Sequence, residues 1–299
     1  MTNPVPIALA QLNAHLGNID ANISRLAGAR ANAAANGAEI IVTPEMYLSG
    51  YPCDDLVLRD DFMNDVAIGI DKLAALTSDG GPAIAVGAPT KDSGRIYNSV
   101  FVIDNGKQIA RFDKVNLPNY GVFDDKRNFT PGQMPGPIML RGLKIGFPIC
   151  EDIWEPDVAE CLEESGADLI IAMNASPFDS TKPERRMQNV IARGVETGLP
   201  IIYVNMIGGQ DELVYDGGSF GINSGGKLAC FSPSFSESVL IVTAQKSMGV
   251  LTLTGQLSPP DSDLTALYRG LCLGLRDYVQ KNGFPGQQAR TVQCASRRS

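Results

Sequence analysis

The chain has 299 residues, which suffices for one large domain or two of ordinary size. Hydrophobic residues make up 44% and charged residues 19% of the sequence, a composition typical of a soluble globular protein. A net charge of −8 argues against binding to nucleic acid or to an anionic membrane, because both need a basic surface. The composition and charge do not exclude a small-molecule substrate.

The amino terminus and the cysteines indicate the compartment. Met1-Thr2-Asn3-Pro4 lacks the basic and apolar segments of a signal peptide, and no apolar run approaches the roughly 20 residues of a membrane span. The six cysteines are scattered and form no Cys-x-x-Cys pair, which argues against disulfide and zinc frameworks. We therefore expect a cytoplasmic protein without a bound metal.

Strand-like and helix-like segments alternate along the chain, which predicts a layered α/β core with mixed sheets. Strands are predicted over residues 6–12, 38–43, 83–88, 98–103, 107–113, 143–149, 169–174 and 201–205, with further turn-rich strands between 219 and 242. Helices are predicted over residues 18–36, 60–77, 156–164, 181–197 and 259–283. The last helix is amphipathic, with apolar residues at helical spacing at Leu264, Leu267, Leu271, Leu275 and Val279.

Local signals mark several boundaries. Asn18 is a candidate N-cap for the first helix, and Gly37 a candidate stop. Asn105-Gly106 predicts a tight hairpin turn, and the pair Thr181 and Glu184 predicts a capping box at the start of a helix.

One glycine-rich stretch imitates a phosphate-binding loop. Ser224-Gly225-Gly226-Lys227 lies between two strand-like runs and is followed by no helix. This context predicts a hairpin turn instead. We therefore expect that the chain binds neither ATP nor NAD and needs no cofactor.

Three predicted strands end in chemically reactive side chains, namely Glu45, Lys114 and Cys150. The chain contains a single histidine, His15, so a thiol nucleophile most simply takes a carboxylate as its base. If the three groups met, Glu45 could take the thiol proton while the thiolate attacked an amide carbon. Lys114 and backbone N–H groups could stabilise the resulting oxyanion.

Each of these residues also has an ordinary structural interpretation. A cysteine with apolar neighbours is more often a small buried hydrophobic residue than a nucleophile. A glutamate after a strand usually caps a helix or faces solvent, and an isolated lysine is usually a surface charge. Residue types and spacing alone leave both interpretations open.

Longer motifs resemble a known family. Residues 44–45 (Pro-Glu), 112–118 (Phe-Asp-Lys-Val-Asn-Leu-Pro) and 149–154 (Ile-Cys-Glu-Asp-Ile-Trp) resemble the three signature blocks of the nitrilase, or carbon–nitrogen hydrolase, superfamily. Further stretches at 48–52, 119–123, 174–178 and 208–220 are similar to the glutaminase domain of glutamine-dependent NAD+ synthetases. The similarity covers about residues 5–285. It implies a single-domain α/β fold, a four-layer α-β-β-α sandwich, that hydrolyses glutamine or other small amides through a thioester.

The resemblance also implies roles for individual residues. Glu45, Lys114 and Cys150 would form the catalytic triad at one pocket. The substrate site would be lined by Tyr51, Tyr120, Glu151, Ser176 and Lys182. Ser176 and Lys182 would hold the amino-acid end of glutamine, and Tyr120 and Glu151 would frame the reacting amide. Trp154 would pack in the wall, and the protein would form a homo-oligomer, as its relatives do.

Two features depart from the family pattern. Superfamily members often carry an additional Glu that supports the Lys, whereas this chain has Asp125, one methylene shorter. The segment 282–286 resembles the linker of NAD+ synthetases, but their pyrophosphate loop does not follow it. We therefore expect a hydrolase domain at 1–258, a linker helix at 259–286 and a disordered tail at 287–299, in a truncated chain without a synthetase domain.

Two other functions compete with amide hydrolysis. The same triad would allow a nitrilase that acts on nitriles through a thioimidate. The chain could also be a non-catalytic assembly module, an idea motivated by the linker helix, where Leu267, Leu271 and Leu275 lack the domain that they would normally join.

Overall fold

The computed structural model describes residues 3–284, so the predicted tail at 287–299 lies outside the described residues. Its strands are β1 (Val5–Gln11), β2 (Ile40–Val42), β3 (Ala83–Asp92), β4 (Arg95–Asp104), β5 (Lys107–Asp113), β6 (Ile138–Leu140), β7 (Leu143–Gly146), β8 (Leu169–Asn174), β9 (Ile201–Asn205), β10 (Ile207–Gln210), β11 (Leu213–Asp216), β12 (Phe220–Ile222), β13 (Leu228–Phe231), β14 (Ser238–Ser247) and β15 (Val250–Gly255). Its α-helices are α1 (Ile19–Ala35), α2 (Asp60–Leu76), α3 (Asp125–Asn128), α4 (Pro156–Glu164), α5 (Lys182–Thr197) and α6 (Asp263–Lys281). Short 3₁₀ turns cover Asp54–Leu58, Thr77–Asp79 and Cys150–Ile153.

The strands form two large mixed sheets and a small ribbon. Sheet 1 has the order β15-β14-β1-β2-β3-β4-β5, and sheet 2 has the order β13-β12-β9-β8-β7-β6. Strands β1, β2 and β3 run parallel to each other, as do β7, β8 and β9, and the remaining pairs in both sheets are antiparallel. Strands β10 and β11 pair separately as an antiparallel ribbon.

Three apolar clusters show how the layers stack. One lies between the two sheets and contains Leu9 and Val42 of sheet 1 with Ile171 and Val204 of sheet 2. A second joins the outer face of sheet 1 to α1 and α2, and a third joins the outer face of sheet 2 to α4 and α5. The central strands are apolar on both faces because both faces are covered. The α-β-β-α order expected from the sequence is therefore confirmed.

The direction of the parallel strands determines where the candidate functional side chains lie. The chain leaves the carboxyl end of β2 toward Glu45 and passes beyond β7 toward Cys150, while β8 runs into Ala175 and Ser176. The carboxyl ends of parallel strands meet at one edge of a sheet, which is where α/β proteins build their sites. The two sheets bring two such edges together.

Most predicted boundaries agree with the structure, and several local signals are confirmed. The Asn18 side chain caps α1 by accepting a hydrogen bond from the Ala21 N–H at 3.2 Å. Asn105 and Gly106 turn the β4–β5 hairpin with φ values of 48° and 78°, as a two-residue hairpin turn requires. The stretch 224–227 is the turn between β12 and β13.

Two local predictions were wrong. The strand predicted over 143–149 ends at Gly146, since Pro148 has no N–H to continue the ladder; only an isolated bridge from Ile149 to Met173 follows. The capping box is also absent, although the helix is present. Thr181 makes no cap hydrogen bond, and its hydroxyl donates instead to Asp179, which also accepts from the Thr181 and Lys182 N–H groups.

Helix α6 packs on the ribbon β10–β11 with one face only. Gly270, Leu273, Asp277 and Val279 are buried. The Asp277 carboxylate accepts hydrogen bonds from Asn13 Nδ2 and from the Gly209 N–H, which fasten the helix to the body. The predicted apolar stripe is largely exposed instead, at Leu264, Leu267, Leu271 and Leu275, with only Val279 buried. Within residues 3–284, no helix is both long and apolar enough to cross a bilayer.

Candidate active site

Glu45 follows β2 and is 1% exposed. Its Oε1 accepts hydrogen bonds from Lys114 Nζ at 2.9 Å and Asn98 Nδ2 at 2.7 Å, and its Oε2 accepts from the Ala175 N–H at 2.9 Å. The turn is tight because β3 passes directly beneath it at Gly87, where a Cβ atom would overlap backbone atoms of residues 44–46. Only glycine therefore fits at position 87.

Lys114 follows β5 and is also 1% exposed. Its backbone N–H donates to the Asn98 carbonyl at 2.8 Å, so Asn98 holds both the Glu45 side chain and the Lys114 main chain. Burial by itself lowers the pKa of Lys114, but the negative charges of Glu45 and Asp125 raise it well above its usual value. The ammonium is therefore a permanent positive charge.

Asp125 begins the short helix α3, and its Oδ2 accepts from Lys114 Nζ at 2.7 Å. The carboxyl is 5% exposed. Burial raises the pKa of Asp125, although the charge of Lys114 opposes the rise. The shorter side chain thus makes the contact with Lys114 that the longer Glu of other family members was expected to make.

Cys150 opens the 3₁₀ turn after β7 and is 3% exposed. Its φ of 49° lies in the left-handed region, which non-glycine residues rarely adopt and which is common at functional sites. Burial raises the pKa of the thiol well above its usual value; Glu45 adds to the rise through its charge and a hydrogen bond, and Lys114 opposes it. The resting thiol is therefore protonated and faces a carboxylate.

Tyr120 and Glu151 lie against each other beside the triad. The Tyr120 hydroxyl is 2.8 Å and 3.0 Å from the two Glu151 carboxylate oxygens. Burial raises the pKa of Glu151, while this hydrogen bond opposes the rise. The pair lines an open cleft of about 460 Å³.

Ser176 is buried and takes part in a rigid network. Arg186 donates hydrogen bonds to the hydroxyl of Ser176 at 3.1 Å and to the backbone carbonyl of Ser176 at 2.8 Å. Arg186 also donates to both carboxylate oxygens of Asp216, at 2.8 Å and 2.9 Å. The Ser176 N–H donates to Asn205 Oδ1 at 3.0 Å. Because its hydroxyl accepts from Arg186, the hydroxyl hydrogen of Ser176 can turn toward a ligand.

Lys182 is the first residue of α5, and its ammonium lies over aromatic rings. The Nζ atom is 4.5 Å from the centre of the Trp154 ring and 5.9 Å from that of Phe123. Within residues 3–284 no carboxylate forms an ion pair with Lys182. Burial lowers the pKa of Lys182, and Arg186 and Arg185 lower it further, whereas Cys150 and Asp179 raise it. This cation therefore borders the thiol.

Tyr51 reaches the same region from the loop after Glu45. It is 6% exposed and packs edge-on against Tyr215, with 6.2 Å between the ring centres. Burial raises the pKa of Tyr51, and the charges of Asp125 and Glu45 add to the rise. The Tyr215 hydroxyl is buried with no hydrogen-bond partner among the described residues.

The structure thus brings Glu45, Lys114, Asp125 and Cys150 together, with the five expected substrate residues around them. Sequence reasoning missed Asn98, Arg186, Asp216 and the carboxylate of Asp152. The first three contact partners that are 10 to 53 residues distant in sequence, so no local pattern could reveal them. Asp152 lies inside the motif at 149–154, and its position two residues after Cys150 could have indicated a role beside the thiol.

His15 takes no part in this arrangement. Its backbone exchanges hydrogen bonds with the Asn22 side chain. Burial lowers the pKa of His15, with further lowering by Lys281 and Arg25. In the described part of the chain, no group of three His, Cys, Asp or Glu side chains is placed to hold a metal ion.

This geometry agrees with known proteins. The family model for carbon–nitrogen hydrolases matches residues 6–251, so the chain belongs to the carbon–nitrogen hydrolase family. It is 39% identical over 285 residues to a glutamine-dependent NAD(+) synthetase of Rhodobacter capsulatus. The match covers 95% of this chain and 51% of the relative, so the chain spans about half the length of the curated relatives it matches.

Solved structures of NAD+ synthetases and amidases share the fold of this chain. The fold superposes with a TM-score of 0.88 on glutamine-dependent NAD+ synthetase from Acinetobacter baumannii in complex with ADP, at 35% identity, covering 95% of this chain and 53% of that one. It also resembles a mutant amidase from Nesterenkonia sp. AN1 that carries the acetamide moiety of fluoroacetamide covalently on its active-site cysteine. That TM-score is 0.72 at 25% identity, covering 80% of this chain and 89% of the amidase.

Proposed function

We propose that this chain hydrolyses the C–N bond of small amides, glutamine foremost, to a carboxylic acid and ammonia through a thioester on Cys150. The observation that carries the proposal is the buried Lys114 ammonium, held by Glu45 at 2.9 Å and Asp125 at 2.7 Å beside the Cys150 thiol. A buried lysine between two carboxylates and a thiol is a costly arrangement for a merely structural site. The reaction needs no metal or cofactor.

The proposed first half-reaction forms the acyl-enzyme. Because its pKa is raised, the Cys150 thiol needs a base, and Glu45 takes the proton as the sulfur attacks the amide carbon. Lys114 stabilises the negative oxygen that develops, aided by the Glu151 backbone N–H. Glu45 then returns the proton to the leaving nitrogen, and ammonia departs.

The second half-reaction releases the acid. Glu45 takes a proton from a water molecule, whose oxygen attacks the thioester carbon. The C–S bond breaks, and the sulfur recovers a proton from Glu45. The charge of Lys114 serves both oxyanions, and Asp125 keeps its ammonium aligned.

The substrate residues have separate proposed tasks. Lys182, which forms no ion pair with a carboxylate in the described chain, is suited to the carboxylate of an amino acid, and the Ser176 hydroxyl is suited to hydrogen bond the same end. Tyr120 and Glu151 would lie on either side of the reacting amide, and the buried Tyr51 would form the inner wall of the substrate site.

The boundaries and assembly remain our proposals. We assign residues 1–258 to the hydrolase domain and 259–286 to a linker helix, supported by the one-sided packing of α6. A cytoplasmic location is supported by five free thiols in the described chain. Homo-oligomer formation, which the family resemblance implies, is tested by light scattering of the purified protein.

Ammonia release tests the central proposal. The wild-type chain should release ammonia from glutamine, and Cys150→Ala should abolish that release. Cys161→Ala serves as the control, because Cys161 lies in α4 and its thiol donates to the Pro135 carbonyl at 3.8 Å, outside the proposed triad. No release from any amide, or full activity in Cys150→Ala, would refute the mechanism; acid formation from nitriles alone would indicate a nitrilase.

A second experiment tests the role of Lys182. Lys182→Met keeps the length and the apolar stem of the side chain but removes the charge. We expect kcat/KM for glutamine to fall about 10- to 100-fold, because a hydrogen bond to a charged group is lost. Hydrolysis of propionamide, which has no carboxylate, should stay within about threefold; an equal loss for both substrates would contradict the assignment.

A further inference from the structure

The Asp152 carboxylate links the two segments that carry Lys114 and Cys150. Its Oδ1 accepts hydrogen bonds from the Val115 N–H at 3.0 Å and the Asn116 N–H at 2.7 Å. Its Oδ2 accepts from the Ile149 N–H at 2.9 Å. The residue is 2% exposed.

Two of the three donors are adjacent in sequence to the reacting groups, and the third, Asn116, lies two residues after Lys114. Val115 directly follows Lys114, and Ile149 directly precedes Cys150. Lys114 itself is fixed to sheet 1, because its backbone N–H donates to the carbonyl of Asn98 in β4. Cys150 extends from sheet 2. The carboxylate therefore connects the two sheets at the place where the ammonium and the thiol must meet.

Capping of the 3₁₀ turn explains only one of these three hydrogen bonds. The bond from the Ile149 N–H closes the turn and supports the left-handed backbone of Cys150. The two bonds to Oδ1 come from the loop after β5 and contribute nothing to that turn. A carboxylate is required for both sides, since only it accepts hydrogen bonds on both oxygens.

We propose that Asp152 is a positioning residue that sets the distance between the Lys114 ammonium and the Cys150 thiol. The inference depends on the proposed hydrolysis and extends it to a residue that would not contact the substrate. A displacement of about 1 Å between reacting groups can cost about 100-fold in rate, so its loss would lower turnover in a protein that still folds.

Asp152→Asn tests the proposal. Asparagine can still accept on one oxygen, but its NH₂ group then faces an N–H donor on the other side, so one of the two segments is released. Asp157→Asn is the matched control. The Asp157 carboxylate also contacts Asn116, through its side chain at 3.1 Å, and the Val158 N–H at 2.8 Å, but not the neighbours of Lys114 or Cys150.

At pH 8.5, we expect Asp152→Asn to reduce kcat for glutamine 10- to 100-fold with KM within about threefold of wild type. Iodoacetamide labelling of Cys150 should slow as well, while circular dichroism remains native. Asp157→Asn should match the wild type in both rates. Unchanged kcat and labelling in a folded Asp152→Asn protein, or a loss confined to KM, would overturn the proposal.

The role of Asp152 can still be tested if Asp152→Asn does not fold or if the wild type is inactive. If Asp152→Asn does not fold, Asp152→Glu keeps a buried carboxylate that is one methylene longer; lowered kcat at unchanged KM supports the proposal, and unchanged kcat overturns it. If the wild type hydrolyses no amide, the proposed function fails, but the labelling rates still decide the role of Asp152. Labelling reports only how readily the thiol reacts beside Glu45 and Lys114.

Discussion

The Glu45 side chain receives three hydrogen bonds in a buried position, from Lys114, Asn98 and the Ala175 N–H. Every group that faces it is a donor, so the site is built for a carboxylate and not for an amide or an imidazole. Three different elements supply these donors. A single side chain therefore fixes the relation between β4, the end of β5 and the end of β8.

Glu45→Gln tests this dependence. In either orientation, glutamine directs an NH₂ group at a donor and cannot accept the thiol proton. We expect kcat to fall about 10²- to 10⁴-fold, the range for loss of a general base. Glu237→Gln, which alters an exposed pair with Arg25, should leave kcat unchanged. Turnover above a tenth of the wild-type rate in Glu45→Gln would show that another group takes the proton.

Asp152 should leave a signature in the pH dependence of stability. Burial raises the pKa of Asp152 to about 7 from an ordinary value of 3.8, although three N–H donors oppose the rise. Since the folded state holds this proton more tightly, its stabilising contribution is present below about pH 4 and is lost as the pH rises to 7.

Urea unfolding at pH 4, 5.5, 7 and 8 measures this effect. The unfolding free energy of wild type minus that of Asp152→Asn should decrease with rising pH, by on the order of 2–4 kcal/mol. Asp157→Asn should give a constant difference. A difference that grows with pH would mean that the N–H donors outweigh burial.

At the scale of elements, the site lies where strands end and neighbouring backbones touch. Strand β3 carries no proposed catalytic group, yet its Gly87 lets it pass beneath the turn that presents Glu45. The Leu48 N–H donates to the Gly87 carbonyl at 3.0 Å, so the two segments are also bonded. The path of β3 thus determines the position of a residue on the loop after β2.

Gly87→Ala should therefore affect both stability and turnover. The added Cβ overlaps backbone atoms around Glu45, so we expect a loss of about 1–3 kcal/mol and a fall in kcat of at least tenfold. Gly28→Ala is the control: nothing lies within 4 Å of its Cβ, and alanine in the middle of α1 should stabilise the protein by up to about 1 kcal/mol. Normal turnover in Gly87→Ala would refute the argument.

The sequence predicted these elements better than it predicted their contacts. Alternation of apolar runs with helical spacing located most strands of both sheets but missed β6 and β15, and the resemblance located Glu45, Lys114 and Cys150. The role of Asn98 was out of reach, because its partners are distant in sequence. The failed capping box had a physical reason: Asp179, two residues earlier, offers a carboxylate to the same N–H groups and binds the Thr181 hydroxyl as well.

At the scale of the whole molecule, the proposed triad is divided between two sheets. Glu45 and Lys114 extend from sheet 1, whereas Cys150 extends from sheet 2, and the apolar cluster between the sheets holds them in register. Neither sheet alone contains a base, a cation and a nucleophile. Catalysis should therefore require the complete sandwich.

Unfolding experiments can test this requirement. Fast labelling of Cys150 and far-ultraviolet circular dichroism should be lost at the same urea concentration, because separation of the sheets destroys the site and the core in one cooperative step. Cys53 and Cys230, which are buried, should become reactive only in that transition. Loss of fast labelling at a clearly lower urea concentration would mean that the site opens while both sheets persist.

The carboxylate character of the proposed base has a practical consequence for chemical inhibition. Reagents that acylate imidazole rings inactivate hydrolases that pair a thiol with histidine. Here such a reagent would find only His15, whose neighbours are Asn22, Lys281 and Arg25. Acylation of imidazole should therefore leave hydrolysis intact, whereas reagents that modify the Cys150 thiol should inhibit it.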